Sequence, residues 1–402
     1  MRFVAIVLYQ FESMKRFFIV FLILISVRVV VAQKISISLH NELNLQTVLI
    51  TPVKGQYTIV TEDGNFALSP NQIVYISRAG DSVRVRDMTS NFGTWKRISI
   101  VGQTDDDAIR INSIVPSYPA RIYDDNLAFY VDFNRLMAIN IVDIDKYIAG
   151  VVEAESGPSA HIEFYKAQAL LARTYALGHI DKHKDEGFNL CDQVHCQVYK
   201  GRANRNPDIL KATKETSGQI VVDGNNDLIV AAFHANCGGQ TANADDVWVT
   251  PQPYLVSVLD SYCKNQPSSN WEIRIPIEKW REFLIGKGVA AQEMDPEKFE
   301  FSSKERVYNY VVTGVKIPMT DIRNAFNLRS AYFSVDIVSD MVRLRGKGYG
   351  HGVGLCQDGA MQMARRGRSY TEIIQHYFQG VTIAHYTEVN GFDEDINIVD
   401  SE

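Results

Sequence analysis

The chain has 402 residues, of which 46% are hydrophobic and 22% are charged, ordinary globular proportions with length enough for two or three domains. Its formal net charge is −6, and no cluster of Lys and Arg side chains stands out. Nucleic-acid binding depends on such clusters to neutralise phosphates. We therefore exclude nucleic acid as a partner.

An export signal is predicted at the amino terminus. A short basic stretch, 14–16, precedes an apolar run from Phe17 to Ala32 that Arg28 interrupts. Compact residues before Gln33 suit signal cleavage, so residues 1–32 are predicted to be an export signal, with Met14 as an alternative start. The other interpretation is a retained membrane anchor, although a span needs about 20 apolar residues. We expect a periplasmic or extracellular chain.

Residues 33–119 are predicted to form a small β-rich domain. The segments 35–39, 56–60 and 82–85 alternate apolar and polar residues as half-buried strands do. Turn sequences such as Asp63-Gly64-Asn65 separate them. Nothing in this part of the chain suggests chemistry.

A larger domain, 120–390, is predicted to follow, with a tail at 391–402. Its pattern indicates an α+β fold with a mixed β-sheet core, packed helices and a mixed insert at about 270–329. Strands recur from about Ile220. Helices are predicted at Asp143 to about Ala154, Ser159 (as N-cap) to about His183, Glu278–Leu284, Gln357–Arg366 and Thr371–Phe378, and strands at Leu228–Phe233 and Met341–Arg345.

Glu155 is the first candidate for chemistry. It stands at the carboxyl end of a predicted helix, directly before Ser156-Gly157-Pro158. The helix dipole disfavours a carboxylate there and should raise its pKa. A raised pKa suits a general acid for glycosidic cleavage near neutral pH. The alternative is an ordinary solvated acid at a helix end.

The second candidate is the segment from Cys191 to Cys196, which also contains His195. Together with the preceding His179 and His183, it offers the ligand types that zinc prefers. The alternative is a Cys191–Cys196 disulfide, since the chain is expected to be exported. The chain has five cysteines, so they cannot all pair within one chain.

Two further segments combine polar groups with glycine. His234 follows a predicted strand and precedes Gly238-Gly239, a position that often lines a cleft. Residues 346–354 carry glycine at nearly every second position, which permits close backbone approach. Neither a dinucleotide-binding nor a phosphate-loop spacing is present. A nucleophilic pair of His351 with Cys356 would lack an orienting third group, and no His-Glu-x-x-His motif occurs.

The order of these segments resembles the stage II sporulation protein D and amidase-enhancer (SpoIID/LytB) family. Four blocks carry the resemblance: Tyr147–Ala176, Cys191–Gly201, Cys237–Thr241 and Gly350–Ala360. Together they span roughly residues 145–380. Because the four blocks occur in the family's order, coincidence is remote.

The resemblance implies a lytic transglycosylase that acts on peptide-stripped peptidoglycan glycan strands. The family's catalytic glutamate falls on Glu155, which would cleave the MurNAc–GlcNAc bond and leave a 1,6-anhydro product. The alternative is a non-catalytic, glycan-binding activator of a cell-wall amidase. Six residues are expected, from motif position, to line the glycan groove: His234, Thr241, His351, Gln357, Tyr175 and Tyr199.

The resemblance also implies a structural zinc ion near the second block. Its expected ligands are Cys191, Cys196 and His183, with His195 and His179 in reserve. Many relatives carry serine where this chain has Cys237 and Cys356. These two could form a disulfide, or Cys237 could pair with Cys263. The export-competent context need not be linked to spore formation.

Overall fold

The computed structural model describes residues 33–248 and 250–389. The predicted export signal and the predicted tail lie outside these residues. Within the described ranges, no helix is long and apolar enough to cross a membrane. The mixture of sheets and helices confirms the predicted α+β class.

Two sheets share one hydrophobic core in the first part of the chain. Their strands alternate inward apolar and outward polar residues, as in Thr47–Lys54, where Val48 and Ile50 are fully buried. In spatial order, the seven-stranded sheet contains β13 (Leu190–Cys191), β1 (Lys34–Ser38), β12 (Arg135–Asp143), β11 (Asn126–Asp132), β8 (Arg97–Gly102), β3 (Tyr57–Thr61) and β4 (Gly64–Leu68). The six-stranded sheet contains β10 (Tyr118–Asp124), β9 (Ala108–Val115), β2 (Thr47–Lys54), β5 (Val74–Ala79), β6 (Ser82–Arg86) and β7 (Asn91–Trp95).

The β-rich part continues beyond the predicted boundary at residue 119. Strand β10 crosses that position, and β11 and β12 pair in the same sheet as β3 and β8. Strand β12 then leads directly into the first helix. The division into domains stays a prediction, but this continuity attaches the first helix firmly to the sheet.

Helices α1 (Ile144–Ser156) and α2 (Ile162–Gly178) carry the first family-like block. The Asp143 carboxylate caps α1 by accepting from two backbone N–H groups, and Gly157, with φ 69°, ends the helix. Helix α2 begins two residues later than predicted, since His161 rather than Ser159 is its N-cap. It also ends at Gly178, short of the predicted His183, which lies in the following turns.

A buried arginine joins these helices to their neighbours, α3 (Pro207–Glu215) and β14 (Gln219–Val222). The Arg173 side chain is 1% exposed and forms a 2.6 Å ion pair with Asp145 of α1. Its guanidinium also donates to the carbonyl oxygens of Thr213 and Gln219 at 3.1 and 3.0 Å. A buried charge is tolerated when it is paired and hydrogen-bonded in this way, so Arg173 of the first block is a structural residue.

The rest of the chain forms small sheets and four more helices within the described residues. Their bounds are β15 (Phe233–His234) with β21 (Leu355–Cys356), β16 (Asn270–Pro276) with β20 (Met341–Lys347) and β19 (Phe333–Val338), β17 (Asn309–Val312) with β18 (Val315–Pro318), β22 (Thr382–His385) with β14, and helices α4 (Ile277–Gly286), α5 (Met319–Ala325), α6 (Gln357–Arg365) and α7 (Tyr370–Tyr377). Of the predicted strand 228–233, only Phe233 lies in a named strand. A second hydrophobic cluster, in which Trp280 is fully buried, is formed largely by the predicted insert at about 270–329 and extends to Leu344.

Helix α1 packs closely against the loop that ends the second block. A Cβ atom on Gly150 would lie 2.3 Å from the carbonyl oxygen of Gly201 and 2.5 Å from the ring of Tyr199. Both distances are far below van der Waals contact, and one neighbour is backbone. Glycine is therefore required at position 150 for α1 to reach this loop.

The Gly150→Ala substitution is expected to lower the free energy of unfolding by about 1–3 kcal/mol or more, the range typical of overpacking. Gly286→Ala, at the end of α4, is the matched control, because its new Cβ would meet no atom within 4 Å and alanine favours a helix by up to about 1 kcal/mol. Urea unfolding of both variants measures the difference. Equal stability of the two variants would contradict the packing described here.

Candidate functional site

Glu155 lies in the last turn of α1 with its side chain partly buried. Its Oε1 atom accepts a 3.3 Å hydrogen bond from the backbone N–H of Val198, which belongs to the second block. Among the described residues, Glu155 has no ion-pair partner. Its carboxyl group is thus held in place by the backbone without a neutralising contact.

A second acid in the same turn, Glu153, is held very differently. It is 8% exposed, pairs with the Arg205 guanidinium at 3.3 Å and accepts from the Arg205 backbone N–H at 2.8 Å. These contacts tie α1 to the chain before α3. Glu153 is therefore a structural partner of Arg205, which leaves Glu155 as the unpaired acid of this turn.

Burial raises the pKa of the Glu155 carboxyl above its ordinary value. The Val198 N–H and the charge of Lys200 act in the opposite direction but do not cancel the effect. The sequence argument predicts this direction from the helix dipole, whereas loss of solvation is the largest cause in the structure. The carboxyl group can therefore keep its proton closer to neutral pH than an exposed glutamic acid can.

Four metal-ligand side chains converge beside this turn. One ligand atom from each of His183, Cys191, His195 and Cys196 lies within 4.8 Å of the others. The Cys196 sulfur is 3.4 Å from Nε2 of His183 and 3.8 Å from Nδ1 of His195. The structure thus brings together His183, the preferred histidine ligand, and His195, one of its two alternatives. The other reserve, His179, lies outside the cluster and stacks on Tyr175.

The surroundings of this cluster suit a metal ion. His183 is 7% exposed, and its other ring nitrogen, Nδ1, lies 2.5 Å from a carboxylate oxygen of Glu186. Such a carboxylate fixes the tautomer that leaves Nε2 free to bind a metal. Contact between the two thiols lowers the pKa of Cys196 to about 6 and raises the pKa of Cys191, so Cys196 is the one that more readily becomes the thiolate, the form that binds metal.

The cluster and Glu155 belong to one piece of structure. Val198, whose N–H meets Glu155, follows Cys196 by two residues. Cys191 lies on β13, which pairs in parallel with β1 of the large sheet. The loop from Cys191 to Val198 therefore begins on the sheet and ends against Glu155. An ion bound in the cluster would hold the loop in this shape.

The glycine-rich turn lies on the short strand pair β15 and β21. His351 is partly buried, with Nε2 2.9 Å from the Phe233 carbonyl oxygen and Nδ1 accepting from the Val353 N–H at 3.1 Å. Burial lowers the pKa of His351 to about 4, so the imidazole is neutral at pH 7. The neighbouring His234 is 4% exposed, and its Nε2 atom has no partner among the described residues.

Two predicted groove residues are corrected by the structure. The Tyr199 ring is fully buried against Tyr147, and its hydroxyl donates to Asn140 at 3.0 Å. Thr241 is 1% exposed, with its hydroxyl oxygen accepting from the Val258 N–H. Both side chains are used inside the protein, so the predictions that they contact glycan are wrong.

The other two predicted groove residues have free polar or exposed atoms. Gln357 begins α6, and its Nε2 atom is buried without a hydrogen-bond partner among the described residues. One face of Tyr175 stacks on His179 at 4.1 Å, and its hydroxyl is 3.5 Å from the His195 carbonyl oxygen. Tyr175 thus lies beside the metal-ligand cluster, and the roles of both residues stay predictions.

The sequence reasoning missed Trp248 and Arg306. The Trp248 ring is 36% exposed and lies 5.3 Å from the His351 ring. Arg306 comes from the predicted insert and donates to the carbonyl oxygens of Cys237 and Gln240. An exposed tryptophan in a polar loop was the available signal for the first. The second depends on a contact over 69 residues, which no local pattern reveals.

Comparison with known proteins identifies the family of this chain. The family model described as stage II sporulation protein (SpoIID) matches residues 132–222. Stage II sporulation protein D of Bacillus amyloliquefaciens is 30% identical over 262 residues, which cover 61% of this chain and 76% of the relative. A Brachyspira hyodysenteriae protein of unassigned function is 30% identical over 370 residues, or 88% and 96% of the two chains.

The amidase enhancer of Bacillus subtilis is also similar, at 26% identity over 294 residues, which cover 60% of this chain and 40% of that protein. The chain belongs to the SpoIID/amidase enhancer family, as its motifs predicted. Family membership gives it a cell-wall-related function. The matched region contains both Glu155 and the four-residue metal-ligand cluster.

Proposed function

We propose that this protein is a lytic transglycosylase that cleaves the MurNAc–GlcNAc bond of peptidoglycan glycan strands, with peptide-stripped strands as substrate. One observation carries the proposal: Glu155 is partly buried, has a raised pKa and is oriented by a backbone N–H without a cationic partner among the described residues. These are the properties of a carboxyl group that can donate a proton and then take one back.

The proposed reaction uses one carboxyl group twice. Protonated Glu155 donates to the glycosidic oxygen as the C1–oxygen bond breaks and C1 becomes oxocarbenium-like. The carboxylate then accepts the proton of the C6 hydroxyl as its oxygen bonds to C1. The product is a 1,6-anhydro sugar, Glu155 regains its proton, and no water is consumed. A second catalytic carboxylate, which ordinary glycosidases need, is not required.

The glycine-rich turn supplies the proposed glycan-binding surface. His351 is neutral and both of its ring nitrogens are hydrogen-bonded. Its ring is therefore held in position and would not act as a second proton donor beside Glu155. The exposed ring of Trp248 beside it offers an apolar face on which a sugar ring can stack. Gln357, whose buried Nε2 atom has no hydrogen-bond partner among the described residues, would donate to a sugar hydroxyl or acetamido oxygen only after its side chain turns outward.

We further propose a structural zinc ion held by Cys191, Cys196, His183 and His195. Two thiolates and two imidazoles form a standard tetrahedral set, and Glu186 supplies the outer carboxylate on His183. A bound ion would give the loop rigidity, which fixes the Val198 N–H against Glu155. The ion has no part in the bond-breaking step.

The proposal places the protein outside the cytoplasm, where its substrate is, in agreement with the export signal predicted for residues 1–32. The name of the Bacillus subtilis relative, amidase enhancer, supports a second candidate function, the non-catalytic activation of a cell-wall amidase. The two functions differ in their need for Glu155. A binder that only recruits an amidase would work without an acid at that position.

The Glu155→Gln variant is expected to cleave peptide-stripped glycan strands about 10²–10⁴-fold more slowly than wild type, because an amide cannot donate the proton. Wild-type activity should also fall as pH rises through the raised pKa of Glu155, since the required acid is then lost. Product release from purified strands, measured across pH by chromatography, tests both expectations.

Glu153→Gln is the matched control for this experiment. It changes the other acid of the same turn, which pairs with Arg205, and should keep most of the activity. If Glu155→Gln cleaves as fast as Glu153→Gln, position 155 is not the acid. If wild type cleaves nothing but stimulates an amidase, the second candidate function replaces the first.

Metal analysis tests the zinc proposal. Cys196→Ser is expected to lose one zinc ion per chain and to unfold at a lower temperature, since metal binding contributes directly to folding. His179→Asn is the control, because His179 lies in the same region but outside the cluster. Unchanged zinc content in Cys196→Ser, or a Cys191–Cys196 disulfide in wild type, would refute the proposal.

A further inference from the structure

A second cluster of ligand atoms lies away from the first, at the junction of the third and fourth family-like blocks. It contains Cys237, Asp260, Cys263 and Cys356, and one ligand atom of each lies within 4.8 Å of the others. All four side chains are fully buried. The catalytic proposal uses none of them, so their burial in one place needs its own explanation.

The separations within the cluster match the size of a single coordination sphere. The sulfurs of Cys237 and Cys263 are 3.4 Å apart, and the Cys237 sulfur is 3.3 Å from Oδ2 of Asp260. A disulfide bond is about 2.05 Å long. A tetrahedral zinc site, with bonds of about 2.3 Å to sulfur and about 2.0 Å to oxygen, has edges of about 3.8 and 3.5 Å. The observed separations lie much closer to these edges.

The number of thiols also argues against a disulfide as the full explanation. Cys237, Cys263 and Cys356 are three thiols, so any disulfide among them leaves one buried thiol and the Asp260 carboxylate together. Hydrogen bonds from the backbone N–H groups of Tyr262 and Cys263 and from the Tyr377 hydroxyl compensate the burial of this carboxylate and hold it against the sulfurs. A divalent ion would use all three sulfurs and the carboxylate oxygen at once.

Hydrogen-bond donors surround the ligand atoms of the cluster. The Cys356 sulfur accepts from the backbone N–H groups of Cys237 and Gly359, at 3.2 and 3.4 Å, and is the N-cap of α6. A helix N-terminus favours a thiolate. The Tyr377 hydroxyl donates to Oδ2 of Asp260 at 2.9 Å, the kind of outer contact that orients a metal-bound carboxylate.

We propose that Cys237, Cys263, Cys356 and Asp260 form a second structural zinc site, separate from the thiol–imidazole site beside Glu155. Thiolates with one carboxylate are ligands that zinc accepts in tetrahedral geometry. An iron–sulfur cluster, which is held by cysteine sulfurs spread around several iron atoms, does not fit ligand atoms this close together. A single ion fits them.

A zinc ion at this site would hold together the segments that support the glycine-rich turn. Cys356 pairs with His234 across β15 and β21, and Cys237 belongs to the loop that receives Arg306. Tyr377 reaches the site from α7. One ion would therefore join the third block, the loop at 260–263, the start of α6 and the face of α7. The two proposed zinc sites would support the two sides of the catalytic domain.

Zinc content and thiol counting test this inference on the full chain, purified without added metal. Wild type is expected to contain two zinc ions per chain, and all five cysteines should react with an alkylating reagent after denaturation in chelator. Cys263→Ser should lose one ion, whereas Cys191→Ser/Cys196→Ser should lose the other. Cobalt(II) added to that double variant should give the absorption of a tetrahedral thiolate site.

The outcomes separate this inference from the proposed function, because none of the measurements involves glycan cleavage. A disulfide mapped to any two of Cys237, Cys263 and Cys356 would overturn the second site. So would an unchanged zinc content in Cys263→Ser. Asp260→Asn tests whether the loss of zinc from Cys263→Ser results from misfolding. Asparagine keeps the shape of the side chain and the Tyr377 contact, so the Asp260→Asn protein should stay folded and bind zinc more weakly.

Discussion

The site depends on the contact between helix α1 and the loop that ends the second block. Gly150 lets the helix touch the backbone of Gly201, and three residues before Gly201 the Val198 N–H meets Glu155. This contact removes the carboxyl group from water on one side and fixes its direction. Loss of solvation raises the pKa, so the same packing that stabilises the domain creates the acid on which the proposed chemistry relies.

Different forces hold the Glu155 region and the region of the glycine-rich turn. On the Glu155 side, the buried Arg173 pairs with Asp145 and fastens α1, α2 and α3, which fixes the backbone that carries the acid. On the other side the elements are short: β15 and β21 have two residues each. Such strands contribute little stability by themselves, which explains why a buried group of ligands would be useful at their junction.

Much of the fold follows from local patterns in the sequence, whereas the site follows only in part. The helices around Gly150 and Gln357 are found near their predicted bounds because periodicity, caps and glycine stops act within a few residues. The burial of Tyr199 and Thr241 was not predictable in this way, since it results from packing against Tyr147 and Val258. The N-cap of α2 is His161 and not Ser159, and propensity alone decides poorly between two polar residues that lie two positions apart.

The central claim is that a single carboxyl group, Glu155, performs the cleavage without water. Mass spectrometry of the products from peptide-stripped glycan strands in ¹⁸O-labelled water tests it most directly. Cleavage by Glu155 alone predicts 1,6-anhydro-MurNAc ends that contain no ¹⁸O. Newly formed reducing MurNAc ends in place of anhydro ends would show that water attacks C1, and the protein would then be a hydrolase that needs a second catalytic group.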